Sequence, residues 1–367
     1  MLFYLVSCEP LPSGRRIDAI HFDSEMTTCQ VSTAIPGGFG GLSCGYSVFL
    51  QGQVTGRLGN PVDFVDLGHI QIFAQDERGP LVFEGRVQTI DSRTGLQATA
   101  VTATGYGVGA MAATTDSWYF SPPFTGEPAI GGGELLRDVI TASAPLLNLG
   151  DKDAMYEPGG SYLRSNENGR YPNQIIDEVV KAGDYNNNQI IYVVYENRTV
   201  QLLPRVPPID PNTNEVIADY YIPVDAAHIQ WRRDSSLMVG AVAVQFSDGN
   251  AGTHGYTEIS SPLLQKTFVD SHGGLLRSYL VSQSNWTKAQ AEFFRDTYAG
   301  IHQNPVITAS VNLDSNFSVR DRENGVIPYY LVRAGGWLKV GDQSPILITS
   351  TRLDLLKQTN AIIASSV

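Results

Sequence analysis

Cysteine and long apolar runs are both scarce in this chain, and each shortage excludes a class of protein. The 367 residues include three cysteines, Cys8, Cys29 and Cys44. Their number is odd and none lies in a CxxC motif, so we expect small buried thiols rather than a disulfide framework or a zinc site. No stretch approaches the roughly 20 apolar residues that cross a bilayer, so no membrane span is expected.

Charge is also scarce, and positive charge is the scarcer sign. Charged residues make up 17% of the chain, against about a quarter in typical soluble domains. The 25 lysines and arginines and the 37 aspartates and glutamates give a net charge of −12. Such a chain is poorly suited to grip nucleic acid or an anionic membrane. The few charges predict much surface that is neutral or buried against partners.

Lysine is rarer than arginine, with 6 lysines against 19 arginines. Arginine makes planar, multivalent contacts that lysine cannot make, and it is enriched at protein interfaces. The adjacent basic pairs are Arg15–Arg16 and Arg232–Arg233. Each pair is interpreted either as exposed charge at the end of a strand or as part of a subunit contact.

Motifs for catalysis and metal binding are missing from the sequence. The six histidines are dispersed, without HExxH or another spacing of metal ligands: His21, His69, His228, His254, His272 and His302. There is no GxSxG nucleophile elbow and no complete phosphate-binding or calcium-binding loop. The sequence therefore predicts no enzyme, no catalytic, cofactor-binding or metal-binding residue, and no cofactor.

Paired carboxylates are the feature that a glycan or peptidoglycan hydrolase would need. Three pairs are close in sequence: Asp151 with Asp153, Asp177 with Glu178, and Asp321 with Glu323. Each pair lies in a charged or loop segment of the kind that usually faces solvent. A cell-wall hydrolase is therefore a disfavoured interpretation.

Glycine and proline are abundant, at 36 and 20 residues, which favours turn-rich β structure. In residues 1–112, alternating or short apolar patterns predict strands at residues 2–6, 70–72, 81–88 and 98–103. The glycine-rich residues 37–41 are predicted to form a flexible loop, and residues 76–80 the turn of a hairpin. Six or seven short strands of this kind indicate a barrel or a sandwich.

A small α+β module is predicted where the composition changes near Asp116. Apolar residues at helical spacing predict a helix around residues 135–140. A second helix is predicted to begin at Pro172 and to stop before Gly183, the positions that proline and glycine favour at helix ends. Residues 190–195 and 199–203 are predicted to form a hairpin.

The rest of the chain is mixed and then returns to β structure. A buried strand is predicted at residues 239–246, followed by a helix near residues 286–299 with Asn285 as its N-cap and Gly300 at its end. Further strands are predicted at residues 306–311, 329–332, 337–340 and 346–351. The predicted domains are a first β-barrel (1–115), a small α+β domain (116–205), a mixed β domain (206–304) and closing β-barrel strands (305–367).

This order of modules resembles the baseplate hub, or tail tip hub, of tailed bacteriophages and related contractile injection machines. Residues 83–87, the Ala/Thr-rich strand after them and residues 104–106 are similar to the end of the first barrel of a hub. The aromatic residues 116–119 and a small α+β domain follow, and residues 337–342 and 346–354 resemble closing barrel strands. The resemblance rests on pattern and module order over nearly the whole chain, and it supplies no catalytic residue.

The resemblance implies a mainly β fold with α+β insertions, containing two tail-tube-like β-barrels and smaller accessory domains. It implies a homotrimer in the virion tail, made in the host cytoplasm, that joins the tail tube or a distal tail protein to a central spike or fibre. A tape measure protein is a further expected partner. DNA would pass through without specific binding, and an acidic lining would repel its phosphates.

Two other functions remain open from the sequence. One alternative is a neighbouring tail component, such as the distal tail ring or another minor tail protein. The other is a β-sandwich that binds a host glycan on an exposed aromatic platform, for which Trp118, Tyr119 and Trp231 are the candidates.

Overall fold

The computed structural model describes residues 3–11, 14–21, 26–46, 66–75, 79–92, 98–106, 119–120, 128–144, 147–149, 158–184, 188–223, 229–247, 255–259, 262–284, 286–317, 319–323 and 325–366. Strands dominate these residues, and the elements separate into one large sheet, a small α+β module and a three-stranded layer. The predicted fold class, mainly β with α+β insertions, is confirmed. No helix in the described part is long and apolar enough to cross a membrane.

Seven strands form the N-terminal part of the large sheet, which confirms the all-β prediction for the described residues up to 106. They are β1 (Phe3–Leu11), β2 (Gly14–His21), β3 (Met26–Ala34), β4 (Gly37–Tyr46), β5 (His69–Ala74), β6 (Leu81–Ser92) and β7 (Ala98–Gly105). All neighbours are antiparallel, in the order β2-β1-β5-β6-β7-β4-β3. The β5–β6 pairing supports the predicted hairpin; of its turn, residues 76–78 lie outside the described residues.

The predicted loop at residues 37–41 is wrong, because these glycines belong to β4. Gly38 has a φ of +93° and approaches Val194 so closely that a Cβ atom would overlap the Val194 backbone. The register between β3 and β4 shifts beside Gly40, from Ser32↔Gly41 to Thr33↔Phe39, which is a β-bulge. Glycine is needed here for close backbone approach and a bulge, and its flexibility is not used.

Two of the three cysteines face each other across β3 and β4. Cys29 and Cys44 are register partners, both are buried free thiols, and their Sγ atoms are 3.1 Å apart. The hydrogen bond with Cys44, together with burial, holds the pKa of the Cys29 thiol well above its usual value. The prediction of buried thiols is confirmed for this pair. Cys8 lies in β1, and its side chain is outside the described residues.

The α+β module packs two helices on a hairpin, as predicted. It contains β8 (Ile130–Gly131), α1 (Gly132–Ser143), β9 (Asn148–Leu149), β10 (Ser161–Tyr162), a 3-10 turn (Arg164–Glu167), α2 (Pro172–Lys181), β11 (Ile190–Val194), a 3-10 turn (Glu196–Arg198) and β12 (Thr199–Pro204). Pro172 opens α2, and Gly183 follows it with a φ of +78°. β11 pairs in parallel with β4, which joins the module to the large sheet.

A three-stranded layer follows the module. It comprises β15 (Ala241–Ser247), β16 (Gly255–Ile259), α3 (Pro262–Ser271), β17 (Ser278–Ser284) and α4 (Lys288–His302), in the strand order β16-β15-β17. Val242, Val244 and Phe246 of β15 pack in one core with Trp286 and α4. The sequence analysis predicted β15 and α4 but not α3.

The predicted ends of α4 are wrong at both termini. Thr287 is the N-cap: its Oγ1 accepts from the Gln290 backbone N (3.3 Å), while Gln290 Oε1 accepts from the Thr287 backbone N (2.8 Å). This reciprocal capping box displaces the start by two residues from Asn285, which lies outside the described residues. The helix continues past Gly300 to His302, since Gly300 keeps a helical conformation.

The C-terminal strands complete the large sheet. They are β13 (Tyr220–Ile222), β14 (Ile229–Asp234), β18 (Val306–Asp314), β19 (Val319–Arg320), β20 (Val326–Ile327), β21 (Trp337–Val340), β22 (Ile346–Asp354) and β23 (Thr359–Ser365). β22 pairs with β3 on one edge and with β23 on the other, and the sheet continues through β18 to β14. The two ends of the chain therefore share one sheet and one hydrophobic core.

The predicted strand at residues 329–332 is wrong. Tyr329–Leu331 is a 3-10 turn, and Tyr329 and Tyr330 are both buried. Asn360 Nδ2 donates to the carbonyls of Tyr329 (2.9 Å) and Val332 (3.1 Å), so a side chain takes the acceptors that a neighbouring strand would use. Local apolar character indicated burial correctly and secondary structure incorrectly.

Candidate interaction surfaces

The three histidines whose side chains the structure describes lie on separate elements. His69 is buried in β5, His272 follows α3 and stacks on Phe268, and His302 ends α4. His228 and His254 lie outside the described residues, as does the side chain of His21. No group of three metal-ligating side chains occurs in the described part of the chain.

Three of the described candidate carboxylates, those of Asp177, Glu178 and Asp321, have structural partners. Asp177 lies 3.3 Å from Lys181 Nζ, and Glu178 lies 2.8 Å from Arg170 Nη2. Asp321 Oδ1 accepts from the backbone N of Glu323 and of Gly325, at 3.0 and 2.7 Å. Asp151 and Asp153 lie outside the described residues. The described pairs stabilise helices and a turn, and they do not converge on a cleft.

The three aromatic candidates for a glycan platform do not share a surface. Tyr119 is buried in the core between α1 and α2, and Trp118 lies outside the described residues. Trp231 of β14 is 46% exposed. A platform that stacks sugar rings needs exposed aromatic faces side by side, which Tyr119 cannot supply.

A buried polar cluster joins the α+β module to the N-terminal strands. Gln71 Nε2 donates to Glu84 Oε1 (2.9 Å), and His69 Nε2 and Arg198 Nε lie 3.0 and 3.5 Å from the same oxygen. His69 Nδ1 is 2.6 Å from the Tyr106 hydroxyl, whose pKa is raised by burial. Because Glu84 has no exposed side-chain surface, this cluster acts as an internal cross-link.

The 3-10 turn at Glu196–Arg198, which contains Arg198, also contacts the segment before β21. Arg333 forms an ion pair with Glu196, donates to the Leu81 carbonyl (2.6 Å) and lies 5.5 Å from the ring centres of Phe39 and Tyr195. We call the contacts of Glu84 and Arg333 with this turn the junction. It binds three parts of the chain together and leaves its charges paired.

Gln71 and Glu84 occupy polar positions in the alternating patterns of β5 and β6, which is typical of side chains on a solvent-facing side of a sheet. Both are 1% exposed, because the turn at Glu196–Arg198 covers that face. No local signal marks the covering segment, which is more than a hundred residues away in sequence.

The edge of the three-stranded layer is apolar and exposed. Leu237, Leu275, Leu276 and Leu280 are 55%, 56%, 49% and 64% exposed, respectively. Arg277 Nη1 donates to the Ser236 carbonyl (2.7 Å), which brings the segment before β17 against the turn containing Leu237. Among the described strands, β17 pairs with β15 alone. These leucines, here called the leucine edge, form an apolar patch on an open strand edge, the type of surface that proteins cover with a partner.

The edge of the large sheet at β14 is also exposed, and it is basic. β14 pairs with β18 alone among the described strands, and Gln230, Trp231, Arg232 and Arg233 are all exposed. Arg232 Nη2 lies 3.0 Å from Asp234. The pair Arg232–Arg233 thus lies beside a tryptophan on an open edge, which is compatible with both interpretations of the sequence. The side chains of Arg15–Arg16 lie outside the described residues.

Sequence comparisons find no relative, whereas comparisons of structure do. No protein-family model and no curated protein sequence matches the chain. Three similar folds cover 99% of it: a Listeria monocytogenes prophage tail protein (11% identity, 94% of that chain, TM-score 0.56), a 43 kDa Shewanella oneidensis prophage tail protein (11%, 98%, 0.57) and a Neisseria meningitidis tail protein (10%, 96%, 0.56). The mainly β fold expected from the resemblance is confirmed, and it is similar to the fold of these three tail proteins.

Proposed function

We propose that this chain is a structural protein of a phage tail, and specifically the hub ring that joins the tail tube to a central spike or fibre. The observation that carries the proposal is the fold, which it shares along 99% of its length with three tail proteins. Among the candidate carboxylates, Asp177, Glu178 and Asp321 are engaged in ion pairs or a turn, which supports a structural role rather than an enzymatic one.

The proposed assembly is a ring of three copies. In this proposal the N-terminal strands and the C-terminal strands each close as a tail-tube-like barrel, within domains 1–115, 116–205, 206–304 and 305–367. Two barrels from each of three chains would present six similar units to a hexameric tube. The join between β3 and β22 supports this, since it holds the two sets of strands side by side.

The leucine edge and the β14 edge are the proposed subunit contacts. An open strand edge with half-exposed leucines is unfavourable in water and becomes favourable when a second copy covers it. Arg232 and Arg233 supply planar cations, which suit contact with the acidic surface of a neighbouring chain of net charge −12.

The proposed partners follow from that position in the tail. The tail tube or a distal tail protein lies on one side of the ring, the spike or fibre on the other, and a tape measure protein is a further partner. DNA crosses the ring without specific binding, because an acidic lumen repels phosphates. The protein is made in the host cytoplasm and resides in the virion.

Cryo-electron microscopy of the particle that contains this chain tests the proposal. We expect three copies in a ring between tube and spike, with an acidic lumen. Six copies would overturn the hub assignment in favour of a distal tail ring, and a single copy or a basic lumen would overturn the ring itself.

The subunit contacts are tested with Leu280→Ser and a matched control, Leu356→Ser, which alters a leucine that is 42% exposed beyond β22. Native mass spectrometry should show loss of the trimer for Leu280→Ser and a retained trimer for the control. Both variants should unfold at the same temperature as the parent monomer, since neither side chain is buried. An intact trimer in Leu280→Ser would exclude the leucine edge as a contact.

A further inference from the structure

A cavity of about 630 Å³ lies where four segments of the chain meet. Its walls come from the end of β12, from β14, from α4 and from the β21–β22 segment. The lining is mostly apolar, and its largest side chains are Trp231, Phe293, Ile301, Ile307, Trp337 and Ile346. A volume of this size holds one or two side chains or a small ligand.

Two hydrogen-bond donors in the walls of this cavity lack acceptors. Arg205 Nε and Trp337 Nε1 are buried and have no hydrogen-bond partner in the described part of the chain. Burial lowers the pKa of Arg205, and no carboxylate opposes that effect. The charge of Arg205 in turn helps to lower the pKa of the neighbouring His302, after burial. The cavity therefore contains two buried donors that have no acceptor in the described part of the chain.

A buried guanidinium without a counter-charge is unfavourable, and a carboxylate relieves that cost. Arginine and carboxylate match in a planar, two-point geometry, and such charge-assisted hydrogen bonds are shorter and stronger than neutral ones. The apolar and aromatic walls require that the rest of the ligand be apolar. The complementary chemistry is an acidic group carried between apolar side chains.

We propose that this cavity docks an acidic side chain, flanked by apolar residues, from a different protein of the assembly. The identity of the source rests on the proposed function, because a tail component must contact neighbours other than its own copies. The chemistry of the ligand rests on the cavity alone.

The test uses the purified full-length chain and two peptides, Ac-Phe-Glu-Leu-NH2 and Ac-Phe-Gln-Leu-NH2, in isothermal titration calorimetry. The peptides differ in one charge and match in shape. We expect the glutamate peptide to bind at least about tenfold more tightly, the effect of a charge-assisted hydrogen bond. Equal affinity of the two peptides, or no binding of the glutamate peptide, would overturn the proposal.

Variants test whether Arg205 is the residue that discriminates between the two peptides. Arg205→Met should remove the discrimination between the peptides, Arg205→Lys should retain part of it, and Arg320→Met, an exposed arginine of β19, should leave it unchanged. Arg205→Lys decides the matter if Arg205→Met does not fold. Discrimination that survives in a folded Arg205→Met protein would show that another group recognises the carboxylate.

The oligomeric state of the same variants separates the two possible sources. If Arg205→Met dissociates the oligomer and neither peptide binds the parent, a second copy occupies the cavity and the proposal of a different protein is wrong. Peptide binding is measured on the isolated chain and copy number on the particle. Failure of this inference is therefore distinguishable from failure of the proposed function.

Discussion

The two ends of β12 place an arginine in different surroundings. Arg198 precedes the strand and lies 3.5 Å from the buried carboxylate of Glu84, while Arg205 follows the strand and has no carboxylate near it in the described part of the chain. The first arginine is part of a cross-link within the chain. The second lines a cavity that opens beside an exposed sheet edge. Arg198 thus stabilises the fold at one end of β12. In our proposal, Arg205 binds a partner protein at the other end.

This contrast extends to the surfaces around the two arginines. At the junction the charged groups are paired between distant segments, Glu84 with Arg198 and Glu196 with Arg333. Around the cavity, the β14 edge and the leucine edge leave side chains and strand edges without partners among the described residues. Interactions completed within the chain stabilise the fold, and those left incomplete mark where other molecules bind.

Removing the buried carboxylate should have the largest effect. Glu84→Leu leaves Arg198 without its counter-charge and Gln71 without its acceptor. Loss of one partner of a buried ion pair costs about 3–5 kcal/mol. Urea unfolding should show that loss. Arg205→Met is the control and should cost far less, since its guanidinium has no partner to lose. Equal losses in the two variants would break the distinction between the two ends of β12.

Replacing Arg333 should have the next largest effect. Arg333→Met removes the ion pair with Glu196, the bond to the Leu81 carbonyl and the contacts with Phe39 and Tyr195. Glu196 is partly exposed and solvent screens its charge, so we expect a loss of about 1–3 kcal/mol in the free energy of unfolding. Urea unfolding measures it. An unchanged free energy of unfolding would show that the contacts of Arg333 do not stabilise the turn at Glu196–Arg198.

Acid should destabilise the region around the cavity to a smaller extent. Burial and the charge of Arg205 lower the pKa of His302 below its usual value of 6.5. The unfolded chain therefore takes up the proton first, and stability falls as the pH drops below about 6.5. Unfolding at about pH 7.5 and pH 5.5 should differ less in His302→Gln than in the parent. An NMR titration should show a higher His302 pKa in Arg205→Met than in the parent. An unchanged pKa would show that the charge of Arg205 does not act on His302.

The smallest effect is expected at an exposed ion pair. Lys288 Nζ lies 3.7 Å from Glu292 on α4, and both side chains are largely in solvent. Glu292→Gln should change the free energy of unfolding by at most about 0.5 kcal/mol, the usual contribution of such pairs. Urea unfolding with and without added salt checks this. A loss comparable with that of Arg333→Met would mean that exposure does not predict the importance of a charge here.

Much of the fold was predictable from local pattern. Apolar spacing indicated α1, α2 and α4, and alternation indicated β5, β6 and β7. Proline and glycine marked the ends of α2, and the order of modules indicated the fold that solved tail proteins share. Helix and strand periodicity depend on neighbours within a few residues, so a single sequence contains that information.

Neither the junction nor the cavity was predictable in the same way. Gln71 and Glu84 occupy alternating polar positions, yet both are buried under a turn that is far away in the chain. Arg205 lies between Pro204 and Pro207 and is part of no motif. Its unpaired state depends on which side chains from β14, α4 and β21 surround it.

The sequence by itself determined the fold class, the periodic elements and the shortage of catalytic motifs, because composition and spacing carry those properties directly. The tertiary structure alone decided which polar groups are buried, which strand edges stay open and which arginine lacks a partner. Those outcomes depend on contacts between segments that are a hundred or more residues apart. Burial changes the energy of a charge far more than its sequence neighbours do, so position in the fold determined whether each arginine stabilises the chain or stays unpaired.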